Sequence, residues 1–286
     1  MNKMKFNWGS RTFVMGIINA TPDSFSGDGL MAQGGNWVGS AVAQGIRQAK
    51  DGADILDVGG ESTRPSSTPV SLEEELARVI PVIEGLAKQV TVPISIDTYK
   101  SEVARQAIRA GASIINDVWA LKADSAIADV AAKYKVPLIL MHNRSKPKNA
   151  QESEKLGARY VGMEYGDLMS DIKRELEESI ERALQAGVAR ENIIVDPGIG
   201  FGKTVEQNLE LIFRLRELKT LGFPVLVGPS RKSFLGYTLN VPPEDRLEAT
   251  AAAVTLCIER GADIVRVHDV KAMKRVATLT DAIVRR

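Results

Sequence analysis

Eight short apolar runs, rich in β-branched residues, alternate along the chain with longer stretches of helical periodicity. That rhythm is the mark of βα units feeding a parallel sheet. The runs are Thr12–Ile18, Asp54–Val58, Pro93–Asp97, Ser113–Asp117, Pro137–Met141, Asn192–Asp196, Pro224–Gly228 and Ala262–Val267. They are nearly continuous in apolar residues rather than alternating, as strands covered on both faces are. The spacing predicts helices over 37–51, 72–90, 100–110, 122–134, 159–187, 204–221, 245–260 and 270–284. Ser71 with Glu74, and Thr204 with Gln207, have the spacing of capping boxes. Gly52, Gly111 and Gly261 end three of these helices, where a left-handed C′ residue is wanted. No linker or composition shift divides the 286 residues. Eight βα units with no strand left over predict a single-domain α/β fold, a closed (β/α)8 TIM barrel over 12–286 behind an N-terminal extension, 1–11. The rival is an open, doubly wound sheet.

Composition excludes several functions. Thirty-seven basic and thirty-six acidic residues leave a net charge of +1, so nothing in the charge balance points to nucleic acid. One cysteine, Cys257, excludes an intramolecular disulfide and a CxxC cluster, and two histidines exclude a His-rich metal site. Cys257 lies between Leu256 and Ile258 and is expected in the core. The first ten residues are basic without an apolar stretch, unlike a signal peptide. No apolar run approaches the roughly 18 residues of a membrane span, so the expected location is cytoplasmic.

In a barrel, chemistry sits at the C-terminal ends of the strands. Here nearly every run ends in polar side chains: Asn19, then Glu61 to Pro65, Asp97-Thr98, Asn116-Asp117, His142-Asn143-Arg144, Asp196, Ser230-Arg231-Lys232, and Arg266 with His268. One such ending is a cap or a turn; a full circle is a site. Asp97, Asn116 and Asp196 offer acceptors and amide donors suited to a flat heterocycle carrying N–H groups and a carbonyl. Asp117 competes with Asn116 for the inward position, and Asn116 is preferred. Lys232, Arg266 and His268 gather positive charge after the last two strands, where barrels often hold phosphate, and Arg64 adds another cation. No GxxxxGK[ST] loop is present, and Gly198-Ile199-Gly200-Phe201-Gly202 lacks the GxGxxG spacing of a dinucleotide turn.

Several of these segments resemble those of the dihydropteroate synthase family. They are Met15 to Ser26, Gly59 to Pro65, Ile96-Asp97-Thr98, Asn116-Asp117-Val118, Asp196 to Phe201, Ser230 to Ser233 and Arg266-Val267-His268-Asp269. The resemblance covers essentially the whole chain. It implies a pterin-binding barrel that condenses (7,8-dihydropterin-6-yl)methyl diphosphate with 4-aminobenzoate, giving 7,8-dihydropteroate and diphosphate with the help of Mg²⁺. It places Asp97, Asn116, Asp196 and Lys232 in the pterin pocket, with Arg266 and His268 at the diphosphate. Asn19 becomes the Mg²⁺ ligand, and Thr63, Arg64 and Pro65 a substrate loop. Thr63 goes with the pterin diphosphate; Arg64, Pro65, Phe201 and Ser230 go with the aminobenzoate. Asp97, Asp196, Lys232, Arg266 and His268 are the expected catalytic set. The first loop departs from the family pattern at Ser26-Gly27-Asp28-Gly29, which makes Asp28 its candidate carboxylate. The resemblance also implies a homodimer and a sulfonamide target. Two other readings are a methyltetrahydrofolate-dependent methyltransferase of the same barrel type and a class I aldolase built on Lys232. A third is a pterin-binding paralogue without turnover.

Overall fold

The computed structural model describes residues 6–21, 36–62, 69–146, 149–161 and 163–285. In chain order the strands are β1 (Phe13–Asn19), β2 (Ile55–Gly59), β3 (Ile94–Asp97), β4 (Ile114–Asp117), β5 (Leu138–Met141), β6 (Ala150–Gln151), β7 (Arg159–Tyr160), β8 (Ile193–Asp196), β9 (Leu226–Val227) and β10 (Ile264–Val267). The helices are α1 (Trp37–Lys50), α2 (Leu72–Ala87), α3 (Ser101–Ala110), α4 (Ala126–Tyr134), α5 (Leu168–Gln185), α6 (Val205–Arg214), α7 (Ser233–Leu239), α8 (Leu247–Glu259) and α9 (Val270–Val284). Eight strands form one parallel sheet in the order β8-β5-β4-β3-β2-β1-β10-β9. Its two ends meet where Val195 of β8 bridges Val225, just ahead of β9, with the Val195 N–H donating to Pro224 O at 3.0 Å. The sheet is therefore a barrel, and the open-sheet alternative falls.

Two apolar regions hold it. The larger lies between the strands and the surrounding helices. The smaller fills the barrel's lower interior with Phe13, Met15, Ile55, Ile114, Ile139, Ile194, Leu226 and Ile264. Phe6 and Trp8 seal that end: their rings stack at 4.7 Å and meet Phe13 edge-on at 5.1 and 5.4 Å. The last residues of the N-terminal extension are thus part of the barrel's packing, and Arg11 fastens them to Asp54 at 2.8 Å.

Several boundaries differ from the sequence expectation. The helix expected from 159 begins at Leu168, because Asp167 caps it by accepting from the Ser170 N–H at 2.9 Å, while Arg159–Tyr160 pairs with Ala150–Gln151 as a small antiparallel ribbon. The helix expected from 122 begins at Ala126, since Asp124 accepts from the Ala126 N–H and, at 2.8 Å, from the Ser101 N–H. The stretch 204–221 is α6 followed by a 3-10 segment, Leu215–Leu221. The short helix α7 lies in what read as a loop. Thr204 and Gln207 close a full capping box, whereas Glu74 turns from Ser71 to pair with Arg78. Gly52, Gly111 and Gly261 take φ of 100°, 123° and 97°, the conformation their positions call for.

Phe13 is the ring on which this lower seal converges. Phe13→Ala should lower unfolding stability by about 3–5 kcal/mol in urea titration. The constants measured at the opposite end of the barrel should stay within experimental error.

Candidate active site

Side chains two residues apart on a strand face the same way. Stepping up by two from the lower apolar layer, Ile55 leads to Asp57, Ile114 to Asn116, Ile194 to Asp196, and Ile264 to Arg266 and then His268. The interior thus changes within one step from hydrocarbon to charge. The same step explains why Asn116 faces the barrel. Asp117 instead accepts from the N–H groups of Trp119 (2.9 Å) and Leu121 (2.6 Å) and shapes the loop beyond β4.

Arg266 organises the upper layer. Its Nε donates to Asp57 Oδ2 at 2.6 Å and its Nη2 to Asp97 Oδ2 at 2.7 Å, while Asn116 Nδ2 donates to Asp57 Oδ2 at 3.1 Å. Asp57 is fully buried, and its Oδ1 has no hydrogen-bond partner among the described residues. The register sets Asn19, Gly59, Asp97 and Asn116 in one row across β1 to β4. Burial pushes the Asp97 carboxyl up to about 7; Arg266 opposes that rise, and Asp57, Glu75 and Asp117 add to it.

On the other wall, Asp196 ends β8 and accepts from the Gly198 N–H at 2.7 Å. Burial raises its pKa, against that hydrogen bond and the charges of Lys232, Lys203 and Arg266. The chain then winds through Gly198, Gly200 and Gly202, at φ of 70°, 81° and 58°. A Cβ on Gly198 would lie 1.9 Å from His142 O, so glycine is required there. Lys232 donates its Nζ to Ile199 O in this loop and sits 4.1 Å from the centre of the Phe201 ring. Burial pulls the Lys232 ammonium down to about 7; Asp196 resists, and Arg266 works with burial. Beside it, Ser230 Oγ lies 3.0 Å from His268 Nδ1 and accepts from the His268 N–H at 3.2 Å. Arg231 locks the β9 loop to the β10 loop by two 2.8 Å hydrogen bonds to Asp269.

Of the residues expected from sequence, Asp97, Asn116, Asp196, Phe201, Ser230, Lys232, Arg266, His268 and Asn19 all lie at this mouth or on its loops. Thr63, Arg64, Pro65 and Asp28 lie outside the described residues. Arg266, expected at a diphosphate, is committed here to two carboxylates of the inner pocket. Three groups escaped the sequence reading. Asp57 was passed over inside an apolar run, although a carboxylate in the middle of a strand buried on both faces is itself a signal. Lys203 is buried behind the glycine loop, and Glu175 projects from α5 to Arg144 and, at 2.7 Å, to Lys122.

The pKa of Lys232 in the folded chain lies below that of a free lysine, so holding it charged costs stability below about pH 7, and the cost fades as pH rises toward the ordinary lysine range. Lys232→Met should therefore raise the urea midpoint most at pH 6, and the gain should shrink steadily toward pH 9.

The pterin-binding enzyme family model matches residues 15–268. A dihydropteroate synthase of Clostridium beijerinckii is 50% identical over 283 residues, covering 99% of this chain and 98% of that protein. A crystal structure of the Clostridium difficile dihydropteroate synthase in the presence of pteroic acid superposes with a TM-score of 0.88 at 46% identity, covering 99% of this chain and all of that one. The Xanthomonas albilineans dihydropteroate synthase with 4-aminobenzoic acid gives 0.85 at 43% identity, covering 96% and 94%. A polar layer built on the same barrel, matched from the first strand to the last, settles the kinship: the chain belongs to the pterin-binding enzymes, among the dihydropteroate synthases.

Proposed function

We propose that the chain condenses (7,8-dihydropterin-6-yl)methyl diphosphate with 4-aminobenzoate to give 7,8-dihydropteroate and diphosphate. The observation that carries this reading is the set of paired acids and cations in the upper layer. Asp57, Asp97 and Asn116 gather around Arg266, while Asp196 faces Lys232, with His268 beside Ser230 on the neighbouring loops. A pterin edge has N–H groups for the carboxylates and a carbonyl for Lys232. Breaking the CH2–O bond sends its electron pair to the diphosphate and leaves a cation delocalised into the dihydropterin ring. Carboxylates at the ring favour that cation, and cations at the diphosphate favour the leaving anion, so the barrier falls by fixed electrostatics. The aminobenzoate nitrogen then attacks the carbon and releases a proton to solvent. An arylamine is nucleophilic as it stands, so no strong base is required of the protein. Two of Arg266's donors are taken by Asp57 and Asp97, so it meets the diphosphate from the pocket floor. Ser230 and Phe201 flank Lys232 and His268, where the aminobenzoate approaches. A transferase with this charge pattern is better served than a methyltransferase, which handles no diphosphate.

Mg²⁺ belongs to the same reading. No group of three or more His, Cys, Asp or Glu able to hold a metal occurs among the described residues. Mg²⁺ keeps waters and phosphate oxygens, so Asn19, at the end of β1, would need to lend it only one amide oxygen. Bound there, it would neutralise charge on the leaving group. The reading also carries a cytoplasmic homodimer. On α6, Leu209 and Phe213 are 43% and 71% exposed, and Leu256 of the neighbouring α8 is 44% exposed, a surface that a second copy would cover. Phe213→Glu should weaken self-association at least about 100-fold in sedimentation, as the loss of an aromatic anchor does.

Diphosphate release, assayed with both substrates and with each omitted, tests the activity; release should require both. Asp97→Asn keeps the shape and removes the charge, and should lower kcat at least about 10²-fold with folding intact. A variant within threefold of the wild type would give Asp97 a purely structural role.

A further inference from the structure

Lys203 is 2% exposed, and its Nζ faces three acceptors: His142 Nδ1 at 3.1 Å, Gly198 O at 3.0 Å and Phe201 O at 3.0 Å. The state of His142 decides what Lys203 must be. Its Nε2 lies 3.3 Å from Glu175 Oε2. Burial alone would push Glu175 up, but contacts from His142, Arg144 and Lys122 outweigh it and hold the carboxylate well below its ordinary range. Burial, aided by Lys203, pushes His142 down to about 3, so the imidazole is neutral. The contact of Nε2 with Glu175 is not aligned as a hydrogen bond, yet the Glu175 charge on that side favours the ring proton on Nε2, which leaves Nδ1 as a lone pair toward Lys203. Three acceptors then require three N–H groups, and only the ammonium form of Lys203 has them. Burial pulls this lysine well below its ordinary value, with Asp196 resisting, and the three acceptors supply the compensation that a buried charge needs.

The carbonyls of Gly198 and Phe201 bracket the segment that meets Lys232. With its left-handed glycines this loop has little stiffness of its own. Asn208, accepting from the Gly200 N–H at 2.6 Å, and Tyr165, donating to Gly202 O at 2.8 Å, hold its outer side. Lys203 holds the inner side. The same segment presents Ile199 O to the Lys232 Nζ and the Phe201 ring beneath it. We infer that Lys203 is a positioning residue for the pterin pocket: its buried ammonium pins the glycine loop and through Ile199 and Phe201 fixes the place of Lys232. The inference rests on the proposed role of Lys232 in that pocket.

Lys203→Met keeps the apolar stem and removes the ammonium. In enzyme labelled with [13C]lysine, the Lys232 Cε resonance, assigned by its loss in Lys232→Arg, reports the titration of Lys232 without any turnover. The charged groups facing it are Asp196, Arg266, Asp97 and Lys203 itself, so loss of the Lys203 charge alone also raises the midpoint, and the uncharged pair His142→Leu and His142→Asn separates the two causes. A loosened loop admits water to Lys232, and burial is the largest influence holding that lysine down. The midpoint should therefore rise by at least about one unit in Lys203→Met. The kcat/KM for the pterin diphosphate should fall about 10- to 100-fold, the scale of a small displacement acting from outside the pocket. The pair His142→Leu and His142→Asn keeps both lysine charges, is measured beside Lys203→Met, and decides the inference even where Lys203→Met does not fold. Leucine removes the acceptor and should move the midpoint, whereas asparagine offers Oδ1 in place of Nδ1 and should not. A folded Lys203→Met with its midpoint within about 0.3 unit of wild type, or equal behaviour of the two His142 variants, overturns the inference. A shifted midpoint in an enzyme whose wild type releases no diphosphate would overturn the functional reading and leave the positioning role standing.

Discussion

Arg266 lies between two carboxylates of neighbouring strands, with 2.6 Å to Asp57 and 2.7 Å to Asp97. Asp57 is wholly buried and Asp97 keeps 13% of its side chain exposed, so water screens neither well. Two like charges this close in a low-dielectric mouth repel strongly, and a single planar guanidinium answers both with separate N–H groups. A lysine would bring one point charge and no fixed spacing. The bridge is a poor source of net stability, because the desolvation of three charged groups offsets most of the attraction. Its value is positional. It holds the carboxylates at set places before a ligand arrives, as electrostatic preorganisation demands. Asn116 then orients against Asp57, and β2, β3, β4 and β10 are tied across the barrel.

The apolar layer below gives these charges their strength. Met15, Ile55, Ile114, Ile139 and Ile194 fill the space beneath the mouth, and Phe6, Trp8 and Phe13 close the far end. Water is kept from the underside of the site, and the polar groups above act in a dry medium. Burial is the largest influence on both Asp97 and Lys232, pushing the carboxyl up and the ammonium down, each to about 7. An acid and a base brought to similar values have charge states that a neighbouring ligand can shift at small cost.

Much of this was legible in the sequence, for a definite reason. The βα rhythm repeats eight times, and each repeat ends on a side chain that the barrel must turn toward one mouth, so Asp97, Asn116, Asp196, Lys232 and Arg266 could be named without coordinates. Asp57 was hidden by the same rule: attention to strand ends passes over a charge two residues before the end, where the interior face already turns polar. Lys203 was hidden because its acceptors are two carbonyls and a histidine more than fifty residues earlier, and no motif records a contact of that kind. Alternating charge over 159–167 is as compatible with a ribbon and a turn as with a helix, and Asp167 alone marks the start of α5. The pairing of Arg266 depends on geometry across the barrel, 209 residues from Asp57, which spacing along the chain does not encode.

A substitution that builds a cation on carbon while an anion departs needs opposite fields a few ångströms apart. A single helix or hairpin cannot supply them, because neighbouring side chains would neutralise one another. The barrel does so by its order. The acceptors come from β2, β3, β4 and β8, and the cations from β10 and the loop after β9, with β10 returning beside β1 and so close to β2 and β3. Arg266 can therefore serve the carboxylates directly, while Lys232, carried on the loop after β9, meets Asp196 from the β8 side. Closure of the sheet brings sequence-distant acids and bases together on each wall, Arg266 with Asp57 and Asp97, and Lys232 with Asp196. The glycine loop after β8 lies where those walls meet. Its left-handed turns let backbone carbonyls approach two lysine side chains, the buried Lys203 from behind and the half-buried Lys232 from the front. A residue with a Cβ at Gly198 would collide with His142 O, separate the two lysines from their shared loop, and uncouple the wall from the pocket it frames.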